Sequence, residues 1–117
     1  MLVVDDNLAV QDVLSGVLSS LGSDVTLAGN GIEAETLFVT RSYDLVVTDL
    51  QMPQMNGWEL CRCIKEQSPK TPVIVVTGFC DDEHWEEMNM SFIDAILVKP
   101  FQLEEFEKTV ERLLKSG

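Results

Sequence analysis

Five side chains able to do chemistry stand where short apolar runs end. Leu2-Val3-Val4 runs into Asp5-Asp6, Leu45 to Thr48 into Asp49, Val73 to Val76 into Thr77, and Ala95 to Val98 into Lys99-Pro100. If the runs are strands, three acids, a hydroxyl and an ammonium each occupy a strand exit, where open α/β sheets hold their ligands. Were Asp5, Asp6 and Asp49 to converge within ~5 Å, each like-charge pair would cost about 3 kcal/mol at an effective dielectric of 20. A fold carries such repulsion only when something positive relieves it. Lys99 supplies one charge, and a bound divalent cation would supply two more. Magnesium takes oxygen ligands and keeps several waters, so two or three protein oxygens suffice and an open position can take a phosphoryl oxygen. One acid can then act as nucleophile and form an aspartyl phosphate, with Thr77 and Lys99 binding the same phosphoryl group.

Each part alone has a plainer explanation. An Asp-Asp pair is usually a helix N-cap, and Asp6 could do only that. A threonine closing a strand reflects β-propensity, and a lysine before proline is usually solvated. Four exits carrying the required types together favour a single site.

The elements that must position these groups alternate strand and helix five times. After Leu2 to Val4, apolar residues at Val10, Val13, Leu14, Val17, Leu18 and Leu21 mark a helix stripe, with Gly22 as its stop. Val25 to Ala28 is a second strand, and its exit, Gly29-Asn30-Gly31, carries no reactive group. A second helix, about 32–40, buries Ala34, Leu37 and Phe38. The third strand, Leu45 to Thr48, delivers Asp49. The third helix, Trp58 to about Gln67, presents Leu60, Cys61 and Ile64 and stops at Ser68-Pro69. After the fourth strand, Val73 to Val76, an acidic segment from Asp81 predicts a thinly packed helix on Trp85, Met88 and Phe92. The fifth strand is Ala95 to Val98. A last helix, about 102–115, shows Leu103, Phe106, Val110, Leu113 and Leu114 on one side. Strands this continuously apolar are covered on both faces, so the sheet is parallel and sandwiched by helices. Right-handed crossovers put every strand exit on one edge.

At 117 residues the chain fits a single domain, 1–117. No apolar run approaches the ~20 residues of a membrane span, and the start lacks the features of a signal peptide, so a cytoplasmic location is expected. The formal net charge is −12, from 20 acids against 8 bases. That disfavours direct contact with nucleic acid or anionic membrane, and suits a divalent cation or a basic patch on a protein partner. Cys61, Cys63 and Cys80 lack metal-site spacing and read as free thiols. His84, alone on an acidic segment, reads as a surface residue.

With these residues in order, the chain resembles a receiver domain of bacterial two-component response regulators over essentially its whole length. The resemblance rests on Asp5-Asp6, Asp49 with Met52-Pro53 and Asn56-Gly57 downstream, Thr77, and Lys99-Pro100-Phe101. It implies a (βα)5 flavodoxin-like, doubly wound parallel sheet of order 2-1-3-4-5, with strands one and three adjacent at the switch point. It also implies that Asp49 accepts phosphoryl from a sensor histidine kinase or a phosphotransfer protein. Asp5, Asp6, Asp49 and the carbonyl of Gln51 would surround Mg2+, with Asp6 and Asp49 the direct carboxylate ligands. Thr77 and Lys99 would bind phosphoryl oxygens and couple phosphorylation to the face of the fourth helix, fifth strand and fifth helix, where a homodimer could form. The Lys99-Pro100 bond is expected to be cis. On this reading the chain is no enzyme beyond its own aspartyl phosphorylation and dephosphorylation.

Three positions depart from the family. Ile96 stands where a Tyr or Phe usually swings against the threonine; stiff and ringless, it should rotate little when Thr77 moves. Phe92-Ile93 replace the usual Gly-Ala, either filling the core or forming a hydrophobic docking surface. Gln51 and Phe79 flank the path of attacking water, and a bulky Phe79 could shield the acyl phosphate. Other classes fit less well. A flavodoxin needs a hydroxyl- and glycine-rich phosphate loop where Asp5-Asp6 stand. A haloacid-dehalogenase-type phosphatase needs a second Asp where Asn7 stands. A receiver-like interaction module that needs no phosphorylation is the strongest rival. The chain is expected to be a stand-alone receiver, a shuttle in a relay, or a piece of a larger regulator or hybrid kinase.

Overall fold

The computed structural model describes residues 1–49, 57–77, 93–98 and 102–115, with backbone alone at Gly57, Trp58, Thr77 and Lys115. Five strands form one sheet: β1 (Leu2–Val4), β2 (Thr26–Ala28), β3 (Val46–Thr48), β4 (Val73–Thr77) and β5 (Ala95–Val98). All pairings are parallel, and the order is β2-β1-β3-β4-β5, as expected. Four helices are described: α1 (Leu8–Ser20), α2 (Gly31–Thr40), α3 (Gly57–Gln67) and, at the C-terminal end, α4 (Leu103–Lys115). The helix expected between β4 and β5 lies outside the described residues, as do Phe79, Cys80, His84 and Phe92.

Strand alternation divides the core in two. Leu2, Val4, Val46, Val73 and Val75 face α2 and α3, meeting Ala34, Phe38, Leu60, Cys61 and Ile64. Val3, Leu45, Val47, Ile74 and Val76 face the other way, against Leu14, Leu18, Phe106 and Val110 of α1 and α4. A sheet apolar on both sides is stable only when helices cover both, which the continuous Val/Ile/Leu runs require. Ile93 is buried and Ile96 packs half-buried against the α2–α3 cluster, so at both positions the apolar replacements fill core.

Two helix faces differ from the stripes read in the sequence. In α1 the buried residues are Gln11, Leu14 and Leu18, and Val13 is exposed. The apolar positions outnumber those one face can cover, and a polar residue takes one of the covered places. Among the described side chains of α4 only Phe106 and Val110 are fully buried; Leu103 and Leu114 are exposed. The first helix stops where expected: Gly22 takes φ 85°, and the amide of Ser23 reaches back to the carbonyl of Leu18.

Candidate functional site

The site is set by the register of β1 and β3. Val4 pairs with Thr48, and the amide of Asp49 donates to the carbonyl of Val4 at 3.1 Å. One residue further, Asp5 and Asp49 leave the sheet side by side, on strands spaced about 4.8 Å apart. Both continue the alternation of the residues facing α1 and α4, Asp5 after Val3 and Asp49 after Val47. Both are buried, at 2% and 9% exposure. Burying two carboxylates on adjacent strand ends is costly unless they are hydrogen-bonded or neutralised.

The structure supplies part of that relief locally. The Asp5 carboxylate accepts from the amide of Asn7 at 2.9 Å, closing a turn around Asp6. At the next exit, the Thr48 hydroxyl donates to the carbonyl of Asp49 at 2.9 Å, bracing the chain as it leaves β3.

Asp6 is exposed, and it is not the helix cap. That role belongs to Asn7, whose side-chain oxygen accepts from the amides of Ala9 and Val10 at 2.9 and 3.3 Å. The Asp6 carboxylate is therefore not consumed by helix capping. Asn30 does the corresponding work at the β2 exit, accepting from Glu33, so the exit without a reactive group also ends in a capped helix.

Among the described residues, no three His, Cys, Asp or Glu side chains are grouped to hold a metal ion. The sheet brings Asp5 and Asp49 together, and Asp6 stands outside that pair on the exposed turn. Thr77 ends β4, and its register partner Val98 ends β5 just before Lys99 in the chain. The backbone thus brings the exits bearing the hydroxyl and the ammonium next to one another. The Thr77 side chain, and Gln51 and Lys99 altogether, lie outside what is described.

Sequence reasoning missed Gln11. It is buried, and its Nε2 donates to the carbonyls of Asp5 at 2.5 Å and Ala28 at 3.3 Å. The signal that could have found it is its spacing, three and seven residues before Leu14 and Leu18, which puts it in the buried stripe.

Among the described residues no helix is long and apolar enough to cross a membrane.

Residues 1–111 match the response regulator receiver domain family. The transcriptional regulatory protein CusR of Escherichia coli (strain K12) is 32% identical over 117 residues, all of this chain and 52% of that protein. The chain spans about half the length of the curated relatives it matches. Among solved structures, the Francisella response regulator 1452 receiver domain is 33% identical with a TM-score of 0.87, covering 98% of this chain and 95% of that one. The response regulator TrrA of Thermotoga maritima, solved in complex with Mg(2+)-BeF, is 29% identical with a TM-score of 0.86, covering 96% of each chain. With the acids at adjacent strand exits, a five-stranded sheet of the expected order and a match over nearly its whole length, this chain belongs to the response regulator receiver domain family.

Proposed function

We propose that this chain is a Mg2+-dependent phosphoacceptor in which Asp49 takes a phosphoryl group from a phosphohistidine. The observation that carries the reading is the in-register exit of β1 and β3, which sets buried Asp49 beside buried Asp5. An oxygen of the Asp49 carboxylate attacks phosphorus, the bond between phosphorus and the donor imidazole nitrogen breaks, and that nitrogen takes a proton from solvent. The product is an acyl phosphate on Asp49.

The donor set fits a hard cation. Carboxylates and a carbonyl are oxygen ligands, and an Asp6 that is exposed and not occupied by capping can turn to a metal. Asp6, Asp49 and the carbonyl of Gln51 would hold Mg2+, with Asp5 supporting them, as in the family pattern. When bound, the ion neutralises the acids and the charge on the phosphoryl oxygens. Thr77 would donate a hydrogen bond to the phosphoryl group and Lys99 would pair with it electrostatically. The complex of TrrA with Mg(2+)-BeF supports the same chemistry here.

A sensor histidine kinase or phosphotransfer protein is the proposed donor. The chain acts catalytically only in its own aspartyl phosphorylation and dephosphorylation. Its net charge of −12 makes it a protein-binding rather than a DNA-binding unit. CusR is named a transcriptional regulatory protein and the chain covers about half of it, so a comparable output here would reside in sequence beyond these residues.

The rival is an interaction module that never needs phosphorylation. Ile96 favours it, because it packs into the α2–α3 cluster and has no ring to swing. Acetyl phosphate or phosphoramidate separates the two. Mg2+-dependent labelling, seen by mass spectrometry and abolished in Asp49→Asn, supports the phosphoacceptor. A wild-type chain that takes up no phosphoryl group with magnesium present supports the interaction module.

A further inference from the structure

We infer that Gln11 is a positioning residue for the acidic turn, fixing the backbone from which Asp6 reaches for the cation. The inference rests on the magnesium-dependent reading above and names a residue outside the acid set. Gln11 lies on α1, one turn past the cap, and is 6% exposed. A buried glutamine needs partners, and its amide nitrogen carries two hydrogens. One goes to the carbonyl of Asp5 and the other to that of Ala28, so one side chain spans the ends of β1 and β2.

The Asp5 carbonyl belongs to the peptide joining Asp5 to Asp6. That peptide is planar, so holding its oxygen also sets the direction in which the Asp6 backbone departs. On the far side of Asp6, the amide of Asn7 is held by the Asp5 carboxylate. The backbone of Asp6 is therefore pinned on both sides while its side chain remains exposed. A ligand carried on a fixed backbone loses less freedom when the ion arrives. Ordinary satisfaction of two buried carbonyls would use the same bonds. Removing them separates the two roles: simple satisfaction costs stability alone, whereas positioning costs metal affinity.

The test is direct magnesium titration by calorimetry of wild type and Gln11→Met, alongside denaturant unfolding of both without metal. Methionine keeps the volume and removes the donor. Magnesium binding about tenfold weaker in Gln11→Met, with the unfolding midpoint near that of wild type, supports the inference. Equal affinity, or a loss that only tracks a fall in the midpoint, overturns it. If Gln11→Met does not fold, amide exchange of Asn7 in the wild type decides. Protection already present without magnesium supports a preset turn, and protection that appears only with magnesium overturns it. A wild type that binds no magnesium overturns the inference together with the reading beneath it.

Discussion

At the edge of the sheet where strands begin, Asp94 is met by Lys65 from a neighbouring helix; at the edge where they end, Asp5, Asp6 and Asp49 gather on segments without a lysine or arginine of their own, and Lys99 follows β5 in the chain. Lys65 of α3 lies 2.7 Å from the Asp94 carboxylate and also donates to the carbonyl of Thr71 at 2.7 Å. The same carboxylate accepts from the amide of Val73 at 2.8 Å, and the amide of Asp94 returns to the Val73 carbonyl. One ion pair thus ties α3, the α3–β4 turn and the starts of β4 and β5. At the other edge, Asp5 and Asp6 belong to a stretch with no lysine or arginine before Arg41. The Asp5 carboxylate accepts from the Asn7 amide, and the Asp5 backbone carbonyl accepts from the Gln11 side chain. An acid with a built-in counterion belongs to stability. The described bonds at Asp5 come from the β1–α1 turn and α1, so positive charge at this edge has to come from a distant segment, such as that of Lys99, or from a bound cation.

The largest effect should come from breaking the closed edge. In Lys65→Met the stem still packs, while the half-buried Asp94 carboxylate and the Thr71 carbonyl each lose a donor. The Lys65 and Asp94 side chains are 13% and 34% exposed, so solvent screens part of the loss. Destabilisation of about 2 kcal/mol in urea unfolding is expected, with phosphoryl uptake at Asp49 unchanged in the folded protein. A stability within error of wild type would show that this ion pair contributes nothing and would erase the contrast between the edges.

Next is a pH effect beside the same clamp. Burial against α2 pushes the Cys61 thiol up from 9.0 to about 12, with Lys65 lowering it somewhat and Asp94 raising it. Above pH 9 the unfolded chain ionises this thiol and the folded chain does not, so the unfolded state binds fewer protons and stability falls as pH rises. The contribution is complete below 9.0 and is lost between 9.0 and about 12, with a slope of at most about 1.4 kcal/mol per pH unit. Cys61→Ala should be less stable at neutral pH and should lose stability less steeply across that window. Parallel slopes in the two proteins would show that Cys61 is not shielded from solvent.

The elements were legible where hydropathy and punctuation agreed. Leu2 to Val4 runs into two acids and Ala95 to Val98 lies between Asp94 and Lys99-Pro100, and the expected ends match the strands residue for residue. Val25 and Leu45, also apolar, fall just outside the pairing of β2 and β3. The faces of α1 were harder, because six apolar side chains competed for a narrower buried stripe and hydropathy cannot select a glutamine over Val13. Asp5, Asp6 and Asn7 are all good caps. Only the strand's actual end shows that Asn7 takes the role, since it alone is spaced to reach Ala9 and Val10. The Lys65–Asp94 pair joins residues 29 apart, and nothing local marks it. That Asp5 and Asp49 leave adjacent strands was legible from their positions after apolar runs. The Gln11 bonds to the Asp5 and Ala28 carbonyls were not, because they join backbone groups brought together by tertiary packing.

The smallest effect is the most discriminating, because its sign should depend on magnesium. Asp6 is exposed and directly follows another acid, Asp5, so its charge does little for the fold by itself. Asp6→Asn keeps the shape and removes one negative charge from an acid-rich edge. Without metal, the variant should be as stable as wild type or more stable by up to about 1 kcal/mol, because like-charge repulsion falls. With magnesium at ten times its dissociation constant, wild type should gain about 1.4 kcal/mol from binding to the folded state alone, and the variant much less. The order of stabilities should therefore invert as magnesium is added, as read from paired denaturation curves. A variant destabilised equally with and without the ion would mean that the Asp6 charge is spent on the fold, as the Asp94 charge is, and that the two edges do not differ in kind.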